Sequence, residues 1–503
     1  MNLLTITPIY QSNMVIQRQK PIHIWGTAPA SSEITILFCS DSYKTVSEQG
    51  IWKCVLPARE ATTGCTLTVS CTHTDTQPIH LENISIGDIW LACGQSNMEF
   101  FLRYDKDWEE VKKYEKNPNI HMYNIPQLAF EGHKRNTDGY GKWIQEGEEG
   151  FDKFSSPGYS FARNIQPHIQ VPIGIIGCNW GGSSAIAWLD ECCLEEEPLN
   201  IYLKEYENAV KEHTPEELER LSLEGWIFED SEKHINDFMP LLYGRDRKWQ
   251  EQYMEDHAND PVIPQGPWNI NRPGGLYHQM LEPLIPFSVK GVLWYQGESD
   301  TPHADIYNQL FTKLITWWRQ KWNDEIPFLF VQLAPFGIWL HCDANNYTVL
   351  RQQQELVSKT VSNTAMISIM DIGSYYDIHP KQKMEVGRRL ALLARGKVYG
   401  EDILCESPEF TKIERQGHTL TLTFLHCTSL TYPETEEIKG FVLTQNQQTI
   451  AIDSITINGN SISITASSLS EEPCTISLAW ADYAEVNLYN EQKLPIKPFI
   501  TTI

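Results

Sequence analysis

The sequence predicts an α/β protein in which a core with a parallel sheet is flanked by two β domains. Three observations support this fold class. Short runs of alternating apolar and polar residues fill 1–85, strands alternate with helices over 86–402, and the alternating pattern returns over 403–503. At 503 residues the chain is long enough for three such units. We therefore expect an N-terminal sandwich or jelly-roll domain, a central α/β domain and a C-terminal β domain with these bounds.

The two β parts are predicted from short runs in which apolar and polar residues alternate, with turn-forming residues between the runs. In the N-terminal part these runs lie at 22–25, 33–38, 52–56 and 66–71. In the C-terminal part they lie at 418–424, 440–443, 454–457, 461–465 and 474–480.

The central part alternates short apolar runs with segments of helical spacing, which is typical of an open parallel sheet. Residues 190–275 are rich in Glu and Asp and contain three Trp residues, and we interpret them as an insertion between two strands, with a lid as one interpretation of its role. The predicted strands are 86–93, 172–178, 291–295, 328–333 and 365–370, and the clearest helices are 303–322 and 385–395.

The composition excludes several classes of function. Hydrophobic residues make up 41% of the chain and charged residues 21%, as in ordinary globular proteins, and the formal net charge is −25. So acidic a chain is not expected to bind nucleic acid or an anionic membrane surface, since both need Lys and Arg. No run of about 18 apolar residues predicts a membrane-spanning helix.

The cysteines and the first residues predict a cytoplasmic protein. The N-terminal segment lacks a basic region followed by a long apolar run, so we predict no signal peptide. The 12 cysteines are scattered without zinc-ligand spacing and suit buried thiols in a reducing compartment. A hairpin disulfide between Cys65 and Cys71 is the alternative for that pair.

A serine follows the first central strand in the segment GQSNME at 94–99. Gly94 permits a tight turn, and Ser96 then stands where a helix begins, with its hydroxyl facing a cleft and its N–H directed at developing negative charge. An ordinary helix N-cap is the alternative interpretation of Ser96.

Two further polar turns follow the next strands of the same sheet. The segment NWGGSS at 179–184 contains paired glycines, which let a backbone N–H approach a ligand closely. The segment WYQGESD at 294–300 offers the Gln296 amide as a donor and the Glu298 carboxylate as an acceptor. Taken alone, each segment is equally consistent with a plain structural turn.

A histidine follows the last predicted strand in the segment DIHP at 377–380. A His side chain with an ordinary pKa near 6.5 is a natural general base, and a nearby carboxylate can fix its tautomer. The serine, the glycines, the glutamine and the Asp/His pair all follow strands of one sheet, where ligands of open α/β sheets bind. The sequence contains no G-x-S-x-G, H-E-x-x-H, P-loop or G-x-G-x-x-G motif, which disfavours an ordinary α/β-hydrolase, a zinc protease and a nucleotide-binding protein.

These four blocks, in this order, resemble the SGNH-hydrolase superfamily and, more narrowly, the sialate O-acetylesterase family of carbohydrate esterases. The segments around 14–18, 24–26 and 50–52 resemble that family's N-terminal β domain, and 276–284 resembles the segment before its third block. The resemblance covers roughly residues 8–400. It implies an SGNH-type three-layer core and a serine esterase that needs neither a metal nor an organic cofactor.

The resemblance also implies roles for individual residues. Ser96 matches the nucleophile and His379 the general base, and the oxyanion is expected to be held by the N–H groups of Ser96 and Gly182 (or Gly181) and by the Gln296 side chain. The superfamily places an Asp three residues before the His, but Tyr376 occupies that position, so Asp377 either orients His379 or leaves this task to a backbone carbonyl.

Contacts to the substrate are expected from residues beside these blocks. The aromatic rings suit the faces of a sugar, and a guanidinium suits the carboxylate of a sialic acid. Glu298 is expected to support its loop rather than to react. The expected substrate-binding residues are Gln95, Asn97, Trp180, Tyr295, Glu298 and Arg272.

The leading hypothesis is therefore hydrolysis of O-acetyl esters on sialic acid through an acetyl-serine intermediate. The alternatives are an acetylxylan or other glycan esterase with the same groups, and a carbohydrate-binding protein without activity. The sequence does not determine the oligomeric state, although accessory β domains of this kind are compatible with a homodimer.

Overall fold

A computed structural model describes residues 3–72, 77–135, 139–231, 234, 243–340 and 342–503 of this chain. Its strands, in chain order, are β1 (Val15–Gln17), β2 (Ile22–Thr27), β3 (Glu33–Phe38), β4 (Asp41–Val46), β5 (Ile51–Leu56), β6 (Thr62–Cys71), β7 (Ile79–Gly94), β8 (Ile120–Asn124), β9 (Trp143–Gln145), β10 (Ile173–Asn179), β11 (Gly291–Tyr295), β12 (Phe328–Val331), β13 (Ile338–Trp339), β14 (Cys342–Asp343), β15 (Thr364–Ile367), β16 (Glu409–Gln416), β17 (Thr419–Leu425), β18 (Phe441–Gln445), β19 (Gln448–Ile450), β20 (Ser454–Asn458), β21 (Ser461–Thr465), β22 (Cys474–Leu478) and β23 (Phe499–Thr502).

The helices lie mainly in the central part of the chain. The α-helices are Ser96–Glu99, Trp108–Val111, Ser156–Ile169, Asn200–Lys211, Pro215–Glu229, Arg247–Asp256, Tyr307–Trp322, Tyr347–Thr360 and Lys383–Lys397. Short 3-10 helices span Leu102–Tyr104, Phe151–Lys153, Ala185–Trp188, Glu191–Leu194, Glu282–Leu284 and Glu298–Ile306, and one π-helical turn spans Tyr277–Leu281. Among the described helices, none is long and apolar enough to cross a lipid bilayer.

The central sheet confirms the predicted α/β fold class. Its strand order is β15-β12-β11-β7-β10-β8-β9, and every pairing in it is parallel except that of β8 with the edge strand β9. On one side of β7 the chain first passes to β8 and the edge strand β9 and then returns to place β10 between β7 and β8, whereas on the other side it moves outward through β11, β12 and β15. Because parallel crossovers are right-handed, the helices cover both faces and produce three layers. The strand order reverses next to β7.

The helix Tyr307–Trp322 illustrates how the sequence specifies these layers. Its buried residues recur at intervals of three and four, as an amphipathic helix against a sheet requires, and the helix ends where Asn323 adopts a left-handed φ of 50°. These residues include Leu310, Leu314 and Trp318. On the helix Lys383–Lys397, a Cβ at Gly387 would lie 2.4 Å from the Pro157 carbonyl oxygen, so only glycine allows this close crossing of two helices.

Strand β7 belongs to both the N-terminal and the central part of the structure. Its first half pairs antiparallel with β6 from Ile79 to Ile86, and its second half pairs with β10 and β11 from Asp88 to Gly94. The expected domain boundary after residue 85 therefore falls inside one continuous strand, and the domain bounds stay predictions.

A disulfide joins Cys39 to Cys65 in the N-terminal part. Because β3 pairs with β6 so that Phe38 faces Leu67, the residue after β3 lies beside β6, and the two Cα atoms are 5.1 Å apart. The expectation of thiols is wrong for these two residues, and the alternative pairing of Cys65 with Cys71 is also wrong. Disulfides are uncommon in a reducing cytosol, so this bond weighs against the expected cytoplasmic location, which stays a prediction.

The C-terminal part is a sandwich of two antiparallel sheets. One sheet has the order β16-β17-β21-β20 and the other β19-β18-β22-β23. Alternate residues of both sheets face a shared apolar core, as in a β-sandwich. The core residues include Leu422 and Ile464 from the first sheet and Leu443, Ile476 and Leu478 from the second.

Candidate active site

Ser96 and His379 meet at the carboxyl end of the central sheet. The Ser96 Oγ lies 2.9 Å from the His379 Nε2, and both residues are buried. The strand order reverses at this edge, which is where open α/β sheets bind their ligands. A serine and an imidazole at hydrogen-bond distance form the arrangement that activates a hydroxyl for nucleophilic attack.

The ends of three strands hold Ser96 in place. The Gly94 carbonyl accepts the N–H of Trp180 at 3.1 Å, and the Gln95 N–H donates to the Tyr295 carbonyl at 3.2 Å. Gly94 has a φ of 136°, and a Cβ there would lie 2.1 Å from the Tyr295 oxygen. Only glycine therefore fits this turn, and Ser96 begins the helix that follows, where its N–H has no acceptor within the helix.

His379 lies between two aromatic rings in the loop before the helix Lys383–Lys397. The centroid of its ring is 5.2 Å from that of Tyr243 and 5.1 Å from that of Trp339, and both pairs are edge-to-face. The Tyr243 hydroxyl donates to the Ser96 carbonyl oxygen at 3.2 Å. Tyr243 thus touches both members of the pair, and burial raises the pKa of its phenol well above the ordinary value.

Asp377 acts on His379 chiefly through the backbone. Its Oδ1 accepts the N–H of His379 at 2.8 Å and lies 4.0 Å from the His379 Nδ1. Its Oδ2 lies 3.2 Å from the Nζ of Lys381. The carboxylate therefore fixes the turn that carries the imidazole and places a negative charge beside the ring.

The glycine turn after β10 lies beside the serine. The N–H of Gly181 donates to the Glu99 Oε2 at 2.7 Å, whereas no described residue accepts the N–H of Gly182. Gly182 has a φ of 74°. Asn271 holds this turn from the insertion, because its Nδ2 donates to the Gly182 carbonyl at 3.0 Å and its Oδ1 accepts the N–H of Ser184 at 2.7 Å.

The side-chain amide of Gln296, the predicted oxyanion donor, is engaged by groups inside the protein. Its Nε2 donates to the Ser183 carbonyl at 3.2 Å and to the Asp300 carboxylate, and its Oε1 accepts from the Tyr307 hydroxyl. Both amide hydrogens are therefore engaged. Burial raises the pKa of the Asp300 carboxyl, and a buried carboxyl of this kind needs hydrogen-bond donors such as Gln296. Gln296 is fully buried and connects β11 to the glycine turn.

Asn97, a predicted substrate-binding residue, is buried and does not line the cavity above the pair. Its Nδ2 donates to the Glu298 carboxylate and to the Ile378 carbonyl at 3.1 Å, and its Oδ1 accepts from Lys383. Asn97 therefore connects the helix of Ser96 to the residue before His379. Lys383 is fully buried, and this desolvation lowers its pKa to about 7 although the nearby Glu298 carboxylate opposes the shift.

We predict that the buried ammonium of Lys383 makes stability depend on pH. Because the pKa is about 7 in the folded protein and 10.5 ordinarily, the unfolded chain binds the extra proton between these values, and stability must rise with pH across that window. Lys383→Met lacks this contribution. The Tm of wild type minus the Tm of Lys383→Met is therefore expected to increase from about pH 6 to about pH 9. A difference that is independent of pH would contradict the assignment of a depressed pKa.

A cavity of about 810 Å³ opens above Ser96 and His379. Among the predicted substrate-binding residues, Gln95, Trp180 and Glu298 line it. Asn97, Tyr295 and Arg272 do not. Tyr295 is fully buried beneath the turn, and Asn97 is held in the network just described.

Several residues that line the cavity were missed by sequence reasoning. Trp226, Glu229, Val262 and Asn271 come from the segment between β10 and β11, and Arg135 comes from the loop after β8. No motif marks these positions, because they reach the cavity only through the folding of long connections. The acidic composition of 190–275 indicates an insertion but does not identify the residues that face the cavity.

The residues described here contain one group of His and carboxylate ligands close enough to hold a metal ion. The group consists of Asp190, Glu191 and His278, and none of the three lines the cavity. His278 instead lies 2.8 Å from the carboxylates of both Glu191 and Glu282. The Ser96/His379 chemistry involves none of these groups.

Comparisons with known proteins decide the family. A family model described as carbohydrate esterase, sialic acid-specific acetylesterase matches residues 86–234 and 264–394, more than half of the chain. This chain belongs to that esterase family. The predicted family and the predicted enzyme class, a carboxylic ester hydrolase, are thus confirmed.

Relatives of this esterase span most of its length. The sialate O-acetylesterase of Rattus norvegicus is 24% identical over 82% of this chain and 78% of its own length, and that of Homo sapiens is 23% identical over 84% and 77%. The crystal structure of a carbohydrate acetylesterase from Xanthomonas citri is 26% identical, covers 99% of both chains and superposes with a TM-score of 0.76. The two β parts of the esterase therefore have counterparts in a solved structure.

Proposed function

We propose that this esterase removes O-acetyl groups from sialic acid, with Ser96 as the nucleophile and His379 as the general base. The 2.9 Å contact between Ser96 Oγ and His379 Nε2 is the observation that carries the proposal. A cavity of about 810 Å³ above this pair suits a sugar-sized ligand. The family match and the names of the relatives support hydrolysis of O-acetyl esters on a sugar.

In the first half of the reaction, the Ser96 Oγ attacks the carbonyl carbon of the acetyl group while the His379 Nε2 takes the hydroxyl proton. The carbonyl electron pair moves onto its oxygen, and a tetrahedral oxyanion forms. When the oxyanion collapses, the bond to the sugar oxygen breaks and that oxygen takes the proton from His379. The deacetylated sugar leaves, and the acetyl group remains on Ser96.

In the second half, water repeats these steps on the acetyl-serine. His379 takes a proton from the water, the hydroxide attacks the acetyl carbon, and Ser96 recovers the proton as acetate leaves. No step needs a redox partner, because the reaction transfers an acyl group to water. The rings of Tyr243 and Trp339 restrict the imidazole to the plane in which its Nε2 faces Ser96.

We assign the stabilisation of the oxyanion to hydrogen bonds from the backbone N–H groups of Ser96 and Gly182. The N–H of Ser96 stands at the beginning of a helix, and no described residue accepts the N–H of Gly182. Gln95 lies beside them and lines the cavity. Its Oε1 accepts the N–H groups of Gly297 and Ser299, which fixes the orientation of its side-chain amide. We therefore assign a substrate contact to Gln95 and a structural role to Gln296.

Asp377→Ala is predicted to lower kcat by about 10- to 100-fold, far less than the loss of His379, because a hydrogen bond to a charged group contributes about 1.5–3 kcal/mol. Asp377→Asn keeps an oxygen that can accept the N–H of His379 and is expected to lose less. Steady-state kinetics of acetate release measure both. If Asp377→Ala is as inactive as a His379 variant, Asp377 acts directly on the imidazole and the backbone assignment fails.

The substrate is tested by comparing kcat/KM on 9-O-acetylated sialic acid with that on acetylated xylo-oligosaccharides. The proposal expects the sialic acid to be preferred. A clear preference for the xylo-oligosaccharides would show the alternative, an acetylxylan-type esterase with the same Ser96 and His379. The homodimer and the absence of a nucleic-acid partner stay predictions.

A further inference from the structure

One wall of the cavity carries a guanidinium group that the reaction does not use. Arg135 lines the cavity, and its side chain is only 7% exposed. Its Nε is buried without a hydrogen-bond partner among the described residues. Its Cζ lies 5.1 Å from the centroid of the Trp180 ring, so the cation stacks on an aromatic face that also lines the cavity.

Arg135 is held in place by an ion pair, and no described residue accepts a hydrogen bond from its guanidinium. Its Nε lies 3.6 Å from the Asp230 Oδ1, which is an ion pair but not a hydrogen bond. Asp230 is fixed from the other side by His133, whose Nε2 lies 2.9 Å from the Asp230 Oδ2. Since the His133 Nδ1 accepts the N–H of Ala129, its Nε2 carries the proton and donates to Asp230. Since no described residue accepts a hydrogen bond from the planar fork of Arg135, we take its donors to be available to a ligand.

The remaining charge around the cavity is negative. The acidic residues that line it are Glu99, Glu229, Glu298 and Asp343. Among the described lining residues, Arg135 is the one Lys or Arg side chain. An anionic group that enters the cavity therefore has one place where it meets a permanent positive charge.

Arg135 and the reacting serine line the same cavity. A Cβ built on Gly181 would lie 3.4 Å from the Ser96 Cβ, so Gly181 stands directly beside the nucleophile. Trp180 is its neighbour in the chain, and Arg135 stacks on the ring of Trp180. The segment 180–181 therefore contacts the guanidinium through the Trp180 ring and stands beside the nucleophile through Gly181.

We propose that Arg135 binds the carboxylate of the acetylated sugar acid and so determines the specificity of the esterase for sialic acid. This inference rests on the proposed function. A guanidinium can give a carboxylate two parallel hydrogen bonds, which fix orientation as well as contribute affinity. In 9-O-acetylated sialic acid, the carboxylate and the acetyl group lie at opposite ends of the sugar chain. Anchoring the first at Arg135 presents the second to Ser96. A positive charge inside the cavity also explains how a chain of net charge −25 can bind an anionic sugar.

The test compares Arg135→Met and Arg135→Lys with wild type on three substrates: 9-O-acetylated sialic acid, its carboxyl methyl ester and a neutral aryl acetate. Arg135→Met is expected to lower kcat/KM about 10- to 100-fold on the free acid, mainly through KM, and to leave the aryl acetate unchanged. Wild type is expected to lose a similar factor on the methyl ester, on which Arg135→Met shows no further loss. Arg135→Lys should recover only part of the activity, because an ammonium does not match the carboxylate fork.

Arg103→Met is the matched control, since Arg103 stacks on Phe101 and Tyr104 and does not line the cavity. It should behave as wild type on all three substrates. If wild type cleaves the acetylated sialic acid and Arg135→Met cleaves it equally well, the role of Arg135 is disproved while the proposed function stands. If wild type does not cleave this substrate but cleaves neutral acetylated sugars, the proposed function itself fails. Equal losses on the aryl acetate would identify Arg135 as a structural residue and overturn the inference.

Discussion

Ser96→Ala is expected to lower kcat for acetate release by a factor on the order of 10⁴–10⁶, because no acetyl-serine can form without the hydroxyl. The effect should be the same on an aryl acetate and on an acetylated sugar, since both pass through the same intermediate. Removal of one hydroxyl at the beginning of a short helix leaves the packing of the turn unchanged, so the variant should fold. Its Tm is therefore expected to stay close to that of wild type.

Ser288→Ala provides the matched control, because this serine donates to the Pro21 carbonyl far along the chain and does not line the cavity. It should keep full activity. Ser96→Ala with more than about one hundredth of the wild-type kcat would contradict the assignment of the nucleophile, since losses at such positions are far larger.

His379→Ala is expected to reduce kcat by a similar factor, on the order of 10⁴–10⁶, because Ser96 then lacks a base for its proton. The substitution leaves a space between the rings of Tyr243 and Trp339, which lie 5.2 and 5.1 Å from the imidazole. Added imidazole should enter this space and restore part of the activity. The measurement is the rate of acetate release with increasing imidazole.

His278→Ala is the control for this experiment, because His278 forms ion pairs with Glu191 and Glu282 outside the cavity. It should be fully active and indifferent to imidazole. An active His379→Ala variant would show that another group activates Ser96 and would remove the basis of the mechanism.

The position of the active site could be predicted from the sequence because it follows from topology. Ser96, Gly182 and His379 each come after a strand of one sheet, and parallel strands bring their carboxyl ends to one edge. The apolar runs that define these strands are buried on both faces and are readable without tertiary information. The resemblance to the esterase family then gave each residue a role.

The direction of polar side chains could not be predicted in the same way. Gln296 and Asn97 follow the strands as expected, yet each amide turns inward to a buried carboxylate, Asp300 or Glu298. A buried charge must be paired or hydrogen-bonded, and this requirement outweighs any advantage of facing the ligand. The competition depends on which carboxylates the fold buries, which a single sequence does not reveal.

Contacts between segments that are distant in the sequence could not be predicted either. Tyr243 contacts Ser96, which lies 147 residues earlier in the chain. Arg135, in the loop after β8, meets Asp230 at the end of the helix Pro215–Glu229. Likewise, the Cys39–Cys65 disulfide depends on the pairing of β3 with β6, which the cysteine spacing alone does not specify. Each of these contacts follows from the register of the folded chain rather than from a local pattern.

The central claim is that Ser96 carries the acetyl group, and trapping the intermediate tests it most directly. Wild type mixed with an aryl acetate should release a burst of the aryl alcohol, because the good leaving group makes formation of the acetyl-enzyme faster than its hydrolysis. Acid quenching during the burst, followed by peptide mass spectrometry, is predicted to find one acetyl group on Ser96 and none in Ser96→Ala. A burst with the acetyl group on another residue, or turnover with no acetylated peptide, would contradict the account.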